Sequence, residues 1–498
     1  MKNEIGSGIF LNYINIVLFM ISSLIITPFL INGMGLSMYG VYVIVFSISV
    51  FFNAGDFGIA VPFIRNIVEY RTSGNKKGLE NYLFNILWIY ACFAASVLII
   101  WLIIFFCAPF LFRHKFDHNE ILMFDKMFLI MAINCMLLFF VNYFFAIITA
   151  FDKFSFTRIA HIIRAVLRTI LLLLVVLFKL PPYTAYLVDL LLTASMLLVY
   201  AIFCFNLGVR IRQNYAIVAR VKNTVSAMIL TYWMAMSENA FSTLCPIIIT
   251  AALGTEDTSR FSIAITFITI YVQLSATLSQ LRIPKLSELW FADDNRVEFW
   301  NYTLKAGRIQ TVVLGLILVM FTILGQMFLK LWVGSEFAAS YFVALVIMCA
   351  MYLSLSQSML EVSLYAQNKY LIRSVVLFVS SMLNLLLVGI GVKFFGLMGS
   401  GYALMITTLL FNFLGMNLYY RRVYPKMNEF NFEIIIKMLI PVTLSAVVGF
   451  LIVNINPDSI LFAAFGALAG LVLYSVSVYF VQFRGMALND IFTIRKGE

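Results

Sequence analysis

The chain has 498 residues, 63% of them hydrophobic and only 11% charged, with a mean hydropathy of +0.98. Such usage lies far outside that of soluble globular domains and reads as an integral membrane protein. The formal net charge of +11 then belongs to membrane topology and anionic headgroups, which leaves a nucleic-acid partner nothing to explain.

A spanning helix needs about 20 mostly apolar residues. Reading from one polar break to the next predicts 14 apolar blocks: 9–31, 38–64, 81–108, 127–149, 158–180, 183–206, 224–252, 261–281, 309–333, 339–364, 370–392, 398–420, 434–454 and 459–481. The first block is expected to be a span and not a cleaved signal, because its apolar run is too long for a signal core and no small-residue cleavage site follows. Alternating strands of the β-barrel kind are absent. The fold class expected is an all-α polytopic membrane protein with 14 transmembrane helices.

With the N-terminus placed inside, 25 of the 34 Lys and Arg residues fall in inner segments and 7 in outer loops. Basic short loops stay cytoplasmic, so both termini are expected in the cytoplasm. The two remaining cations, Arg164 and Arg168, lie inside the fifth block.

Two stretches recur at a nearly constant offset. "PFLINGMGLSMYGVYVIV" from Pro28 resembles "PIIITAALGTEDTSRFSIAI" from Pro246, and "AFDKF" from Ala150 resembles "AQNKY" from Ala366, at offsets of 218 and 216. The expected organisation is a six-helix lobe over 1–206, a cytoplasmic linker over 207–223, a second six-helix lobe over 224–421, and helices 13 and 14 with a tail over 422–498. Six spans per copy make the two lobes parallel, with a cavity between them near the midplane.

Residues 34–71 carry the most specific pattern. Gly35, Tyr39 and Gly40 form a G-x-x-x-Y-G turn, Asp56-Phe57-Gly58-Ile59 a second element, and Arg65 follows. This stretch resembles the polysaccharide transport proteins, the O-antigen (Wzx-type) flippases of the multidrug, oligosaccharidyl-lipid and polysaccharide exporter superfamily. The resemblance implies a structural role for Gly35, Tyr39, Gly40, Gly58 and Arg65. It also implies a substrate, an undecaprenyl-diphosphate-linked oligosaccharide turned from the inner to the outer leaflet of the bacterial cytoplasmic membrane. Many O-antigen flippases have fewer spans, so a teichuronic-type or lipid II-type exporter stays open.

The fifth block holds the candidate site. Successive helical residues turn by about 100 degrees, so with His161 at zero Arg158 lies near +60, Arg164 near −60 and Arg168 near −20 degrees. One face therefore carries all four. Each arginine facing lipid at that depth would cost about 2.5 to 3.5 kcal/mol, so Arg164, Arg168 and His161 are expected to line a wet cationic cavity fit for a diphosphate. Snorkelling or structural pairing is the competing reading, and Arg158 is expected to snorkel.

Asp56, Asp189, Glu238 and Glu361 are the acids in or near spans. Asp56 matches Arg164 in depth and could pair with it. Glu238 is expected to face the same cavity as Arg168 and to bind a coupling proton or sodium ion. Asp189 is read as shallower, pairing towards the outer side. Asn53, Ser237, Asn239, Ser242, Gln273, Gln280 and Trp233 could meet sugar groups or simply pack.

Six scattered cysteines and three histidines predict neither disulfide nor metal site, and no nucleotide-binding or serine-hydrolase motif occurs. No cofactor and no catalysis is expected. The working picture is a monomeric ion-coupled flippase that contacts membrane lipids and associates with polysaccharide assembly proteins. A drug or cation exporter of the same superfamily is the nearest alternative. A polysaccharide polymerase or ligase fits less well, since the longest outer loop, 109–126, is too short for an acceptor-binding domain.

Overall fold

In the computed structural model every regular element is helical, as the hydropathy demands. With no water to satisfy backbone groups inside a bilayer, a chain this apolar must close its hydrogen bonds within each segment. The structure describes residues 2–53, 56–112, 115–208, 225, 243–280, 282–292, 297–367, 369, 371–457 and 459–483, with the backbone alone for a few of these, Asp56 and Gly58 among them.

The helices are α1 Lys2–Met34, α2 Leu36–Asn53, α3 Asp56–Thr72, α4 Lys76–Phe112, α5 His118–Ala150, α6 Phe154–Leu177 and α7 Thr184–Asn206, followed by α8 Thr243–Leu253 and α9 Thr255–Gln280. Then come α10 Ile283–Ala292, α11 Val297–Trp332, α12 Ala338–Leu355, α13 Ser358–Ala366, α14 Leu371–Phe395, α15 Leu397–Val423, α16 Met427–Ile455 and α17 Ile460–Gln482. Among the described residues 11 helical segments are long and apolar enough to cross a membrane, and three shorter apolar helices accompany them. The protein is therefore a polytopic, multi-pass membrane protein.

Backbone contacts divide the chain into two compact units, Met1–Ser262 and Ile263–Glu498. In the first, α6 packs along α1 and α7, and α5 packs on α4 and α7. In the second, α11 packs on α12, α16 and α17, and α14 pairs with α15.

The internal repeat is visible in the backbone. Gly35 and Gly254, 219 residues apart, both adopt positive φ (86° and 107°), and each ends a helix directly before the next begins. Lys179 and Gly396, 217 apart, repeat that left-handed turn at 50° and 56°. After α5 the Lys153 amide donates to the Ile148 carbonyl at 3.3 Å, and 216 residues on the Lys369 amide donates to the Leu364 carbonyl at 2.9 Å. Helix ends that reverse at matching places carry the repeat, because each is set by local turn chemistry.

The expected continuous tenth span, 339–364, is corrected by the structure. It is two helices, α12 and α13, separated by a turn at Ser356 and Gln357. No proline or glycine lies there, so hydropathy alone could not show the break.

Two motif residues have clear structural reasons. Gly35 supplies the left-handed residue that lets α1 end and α2 start without a linker. A Cβ on Gly40 would overlap the Thr255 carbonyl, so only glycine lets α2 approach the start of α9. Tyr39 is buried beside it. Arg65 is exposed on α3, and the side chain of Gly58's neighbour Asp56 lies outside the described residues.

In the second unit a Cβ on Gly399 would overlap the Gly391 backbone, whereas one on Gly389 would meet nothing within 4 Å. Overpacking typically costs about 1 to 3 kcal/mol. Gly399→Ala is expected to lower the thermal midpoint of the detergent-purified protein by several degrees, while Gly389→Ala leaves it unchanged or raises it. Equal midpoints for the two variants would remove the close approach as a constraint.

Candidate functional site

The site grows from the pattern of α6. Its exposed residues Ile159, Ile163, Val166, Leu167, Ile170 and Leu174 all lie within about 60 degrees of the direction opposite His161. Its buried residues Thr157, Leu172 and Val175 share the side of Arg158, His161, Arg164 and Arg168. The helix thus offers an apolar stripe to lipid and turns its basic stripe towards protein, as the insertion cost of arginine requires.

The partner stripe belongs to α7. Asp189, Thr193, Met196 and Tyr200 recur at helical spacing and are all buried. The two helices face each other so that position answers position. The Arg168 guanidinium donates through Nε to Asp189 Oδ1 at 2.6 Å and through Nη2 to Oδ2 at 3.1 Å, a two-point fork. One turn away, Arg164 Nη2 donates to the Thr193 hydroxyl at 2.9 Å, with Nη1 at 4.0 Å from the Met196 sulfur. Beyond it Arg158 lies within electrostatic range of Tyr200, whose ring meets Phe156 at 6.0 Å.

A third helix steadies the fork. The Tyr42 hydroxyl of α2 accepts from Arg168 Nη2 at 3.3 Å, and the Tyr42 carbonyl accepts from the Tyr186 hydroxyl at 2.6 Å. The rings of Tyr42 and Tyr186 stack at 4.9 Å. On the other flank, Ser22 of α1 and Thr169 of α6 share a hydrogen bond. His161 sits edge-on to Phe145 of α5 at 5.9 Å.

Charge is unbalanced on this face. Among the described residues Asp189 is the single carboxylate bonded to it, against three guanidiniums. Arg168 is neutralised, its side chain 27% exposed and that of Asp189 8%. Arg164 has only neutral partners, and at about 15 Å along the helix from Phe154 it lies too deep to reach an aqueous surface easily.

The structure brings together Arg158, Arg164 and Arg168 as expected, and joins Arg168 to Asp189, which the sequence reading had placed nearer one surface. Glu238 lies outside the described residues, as does the Asp56 side chain, so the pairings expected of them fall outside it too. Tyr42, Tyr186 and Thr193 were not singled out from the sequence. Nor was Arg71, which donates to the Ala150 carbonyl at 2.8 Å and to Asp152 at 2.5 Å, holding the turn after α5.

At the repeat offset the second unit is different. Positions 216 and 218 residues beyond Arg168 and Asp189 are Asn384 and Thr407, whose side chains hydrogen bond at 3.2 Å. The same pair of helices is therefore joined by an ion pair in one copy and by a neutral bond in the other.

Among solved structures, the chain resembles the lipid II flippase MurJ in an inward closed conformation with a TM-score of 0.73 and 12% identity, over 95% of this chain and 97% of that one. An inward-facing multidrug resistance MATE family transporter of the MOP superfamily gives 0.64 and 14%, over 82% and 96%. A MOP superfamily transporter from Pyrococcus furiosus gives 0.55 and 12%, over 86% and 95%. No family model and no curated protein sequence matches the chain. At such identities the likeness is one of fold: the chain has the architecture of MOP-superfamily transporters and flippases, which are not enzymes.

Removing one member of a buried pair leaves an uncompensated charge and costs roughly 3 kcal/mol. Asp189→Leu is therefore expected to destabilise the protein strongly, and Arg168→Met with Asp189→Leu to recover most of that loss. The measurement is a double-mutant cycle of thermal unfolding in detergent, and additive losses would mean the fork contributes nothing.

Proposed function

We propose that the protein is a flippase moving a polyprenyl-diphosphate-linked oligosaccharide across the bacterial cytoplasmic membrane by alternating access, with both termini in the cytoplasm. The observation that carries this reading is Arg164, an arginine deep in a spanning helix, turned away from the lipid stripe and held by a hydroxyl and a thioether alone. A fixed charge in that position is costly unless it meets an anion during the working cycle. A diphosphate supplies one, since its oxygens match the guanidinium fork and its own charge cannot cross hydrocarbon unshielded.

In this reading Arg164, with His161 and Arg158 on the same face, draws in the diphosphate. Arg168 is a positioning residue, because its fork already grips Asp189. Sugars pass with the headgroup while the polyprenyl tail stays in lipid. Glu238 and Asp56 are the acids assigned to proton or sodium coupling. The motif over residues 34–71 and the fold shared with a lipid II flippase support the same substrate class. A cationic drug, the cargo of the rival reading, would be repelled by three guanidiniums facing one carboxylate.

The test is translocation of a fluorescent polyprenyl-diphosphate oligosaccharide by protein reconstituted in liposomes. Loss of one charge-assisted hydrogen bond, about 1.5 to 3 kcal/mol, predicts that Arg164→Ala slows translocation by about tenfold or more, with Arg164→Lys intermediate. A wild-type rate in Arg164→Ala would overturn the assignment, and uptake of a lipophilic cation in place of the labelled lipid would favour the exporter reading.

A further inference from the structure

The break between α12 and α13 has an unusual cause. Sharp kinks in helices generally come from proline, glycine, or a side chain inserted into the backbone ladder. The segment 338–366 contains neither proline nor glycine. Instead Ser356 donates to the Leu353 carbonyl at 2.7 Å, Ser358 donates to the Leu355 carbonyl at 2.5 Å, and Gln310 of α11 inserts its Nε2 at 3.2 Å from that same Leu355 carbonyl. Serine hydroxyls that capture backbone carbonyls loosen a helix, and here three outside donors act on two consecutive turns.

Around the break lies a buried, uncharged polar cluster. Gln310 Nε2 also donates to Ser275 Oγ of α9 at 2.7 Å, and Ser275 shares a 3.3 Å hydrogen bond with Ser358. Ser275, Gln310, Ser356 and Gln357 are all essentially without solvent exposure. Among the described residues both amide atoms of Gln357, Oε1 of Gln310 and the Tyr352 hydroxyl are buried with no hydrogen-bond partner. Each such group costs about 1 to 3 kcal/mol when left unmet.

The chemistry of those atoms selects the ligand. Gln357 Nε2 needs an acceptor, and the two amide oxygens need donors. A cation would serve the oxygens and leave the nitrogen unmet, while an anion would do the reverse. The one acid close by in sequence, Glu361, is bonded to Arg373 at 3.0 Å. Water donates and accepts, and buried waters make about three hydrogen bonds each to groups of this kind.

We propose that the turn at Ser356 and Gln357 binds water and is a hinge inside the second unit. Bound water exchanges its partners at little cost as the turn opens or closes, whereas an unbroken ladder resists bending. The first copy has no such turn, since residues 137–144, which correspond by the 217-residue offset to 354–361, lie inside the continuous helix α5. The hinge is independent of what the protein carries.

The test is hydrogen–deuterium exchange on the full-length protein in lipid nanodiscs, read by mass spectrometry. Amides of 354–361 are expected to exchange about tenfold or more faster than those of 137–144, the matched segment of the same molecule. Gln357→Leu, which removes the water's main anchor, is expected to narrow that difference. Equal protection of the two wild-type segments overturns the proposal without recourse to any variant. A higher thermal midpoint in Gln357→Leu with exchange unchanged also overturns it, since that is the behaviour of a dry, strained amide relieved by an apolar side chain.

Discussion

The constraint on which the first unit depends is the cost of holding guanidinium groups inside hydrocarbon. Three arginines on one helix cannot face lipid, so α6 can settle in only one rotation, with Ile163, Val166 and Ile170 outward and Arg158, Arg164 and Arg168 inward. That rotation sets what α7 must present. Asp189 answers the deepest charge with a fork, and Thr193 answers the next with a hydroxyl. Tyr42 then closes the arrangement from α2, tying the helix that carries the G-x-x-x-Y-G turn to the charged pair. Gly40, two residues earlier on α2, allows the close packing against α9 on the same helix.

The two copies of the repeat show how one backbone plan accommodates different chemistry. Their helices end at matching left-handed turns, at Gly35 and Gly254 and at Lys179 and Gly396. Yet where the first copy places Arg168 on Asp189, the second places Asn384 on Thr407. Where the first has an unbroken α5, the second has the serine-rich interruption between α12 and α13. Charge is concentrated in one copy and local pliability in the other. A transporter needs both a group that recognises cargo and an element that can move, and duplication followed by divergence lets each copy specialise without disturbing the shared packing.

Much of the architecture was legible from composition and periodicity. Mean hydropathy declared a membrane protein, apolar run lengths located the spans, and an angle of about 100 degrees per residue was enough to put four basic side chains on one face of α6. These are properties of single segments in a known solvent, and a segment's sequence carries them whole. The repeat was legible too, because helix-ending glycines and short polar turns keep their signature in sequence.

What tertiary structure decided was which groups meet. Asp189 looked shallow when depth was counted from one helix end, yet it reaches Arg168 because α7 packs against α6 in a register that no count along either helix reveals. Tyr42, Tyr186 and Thr193 read as ordinary apolar or small polar residues until the packing of α2, α6 and α7 brought them to the guanidiniums. The break at Ser356 and Gln357 was hidden for the same reason, since it needs Gln310, 46 residues earlier, to enter another helix's ladder. The sequence by itself determined the solvent, the spans and the face of each helix, all of which follow from local energetics. Only the fold determined pairings between helices, because rotation, register and approach distance arise from packing all the segments at once.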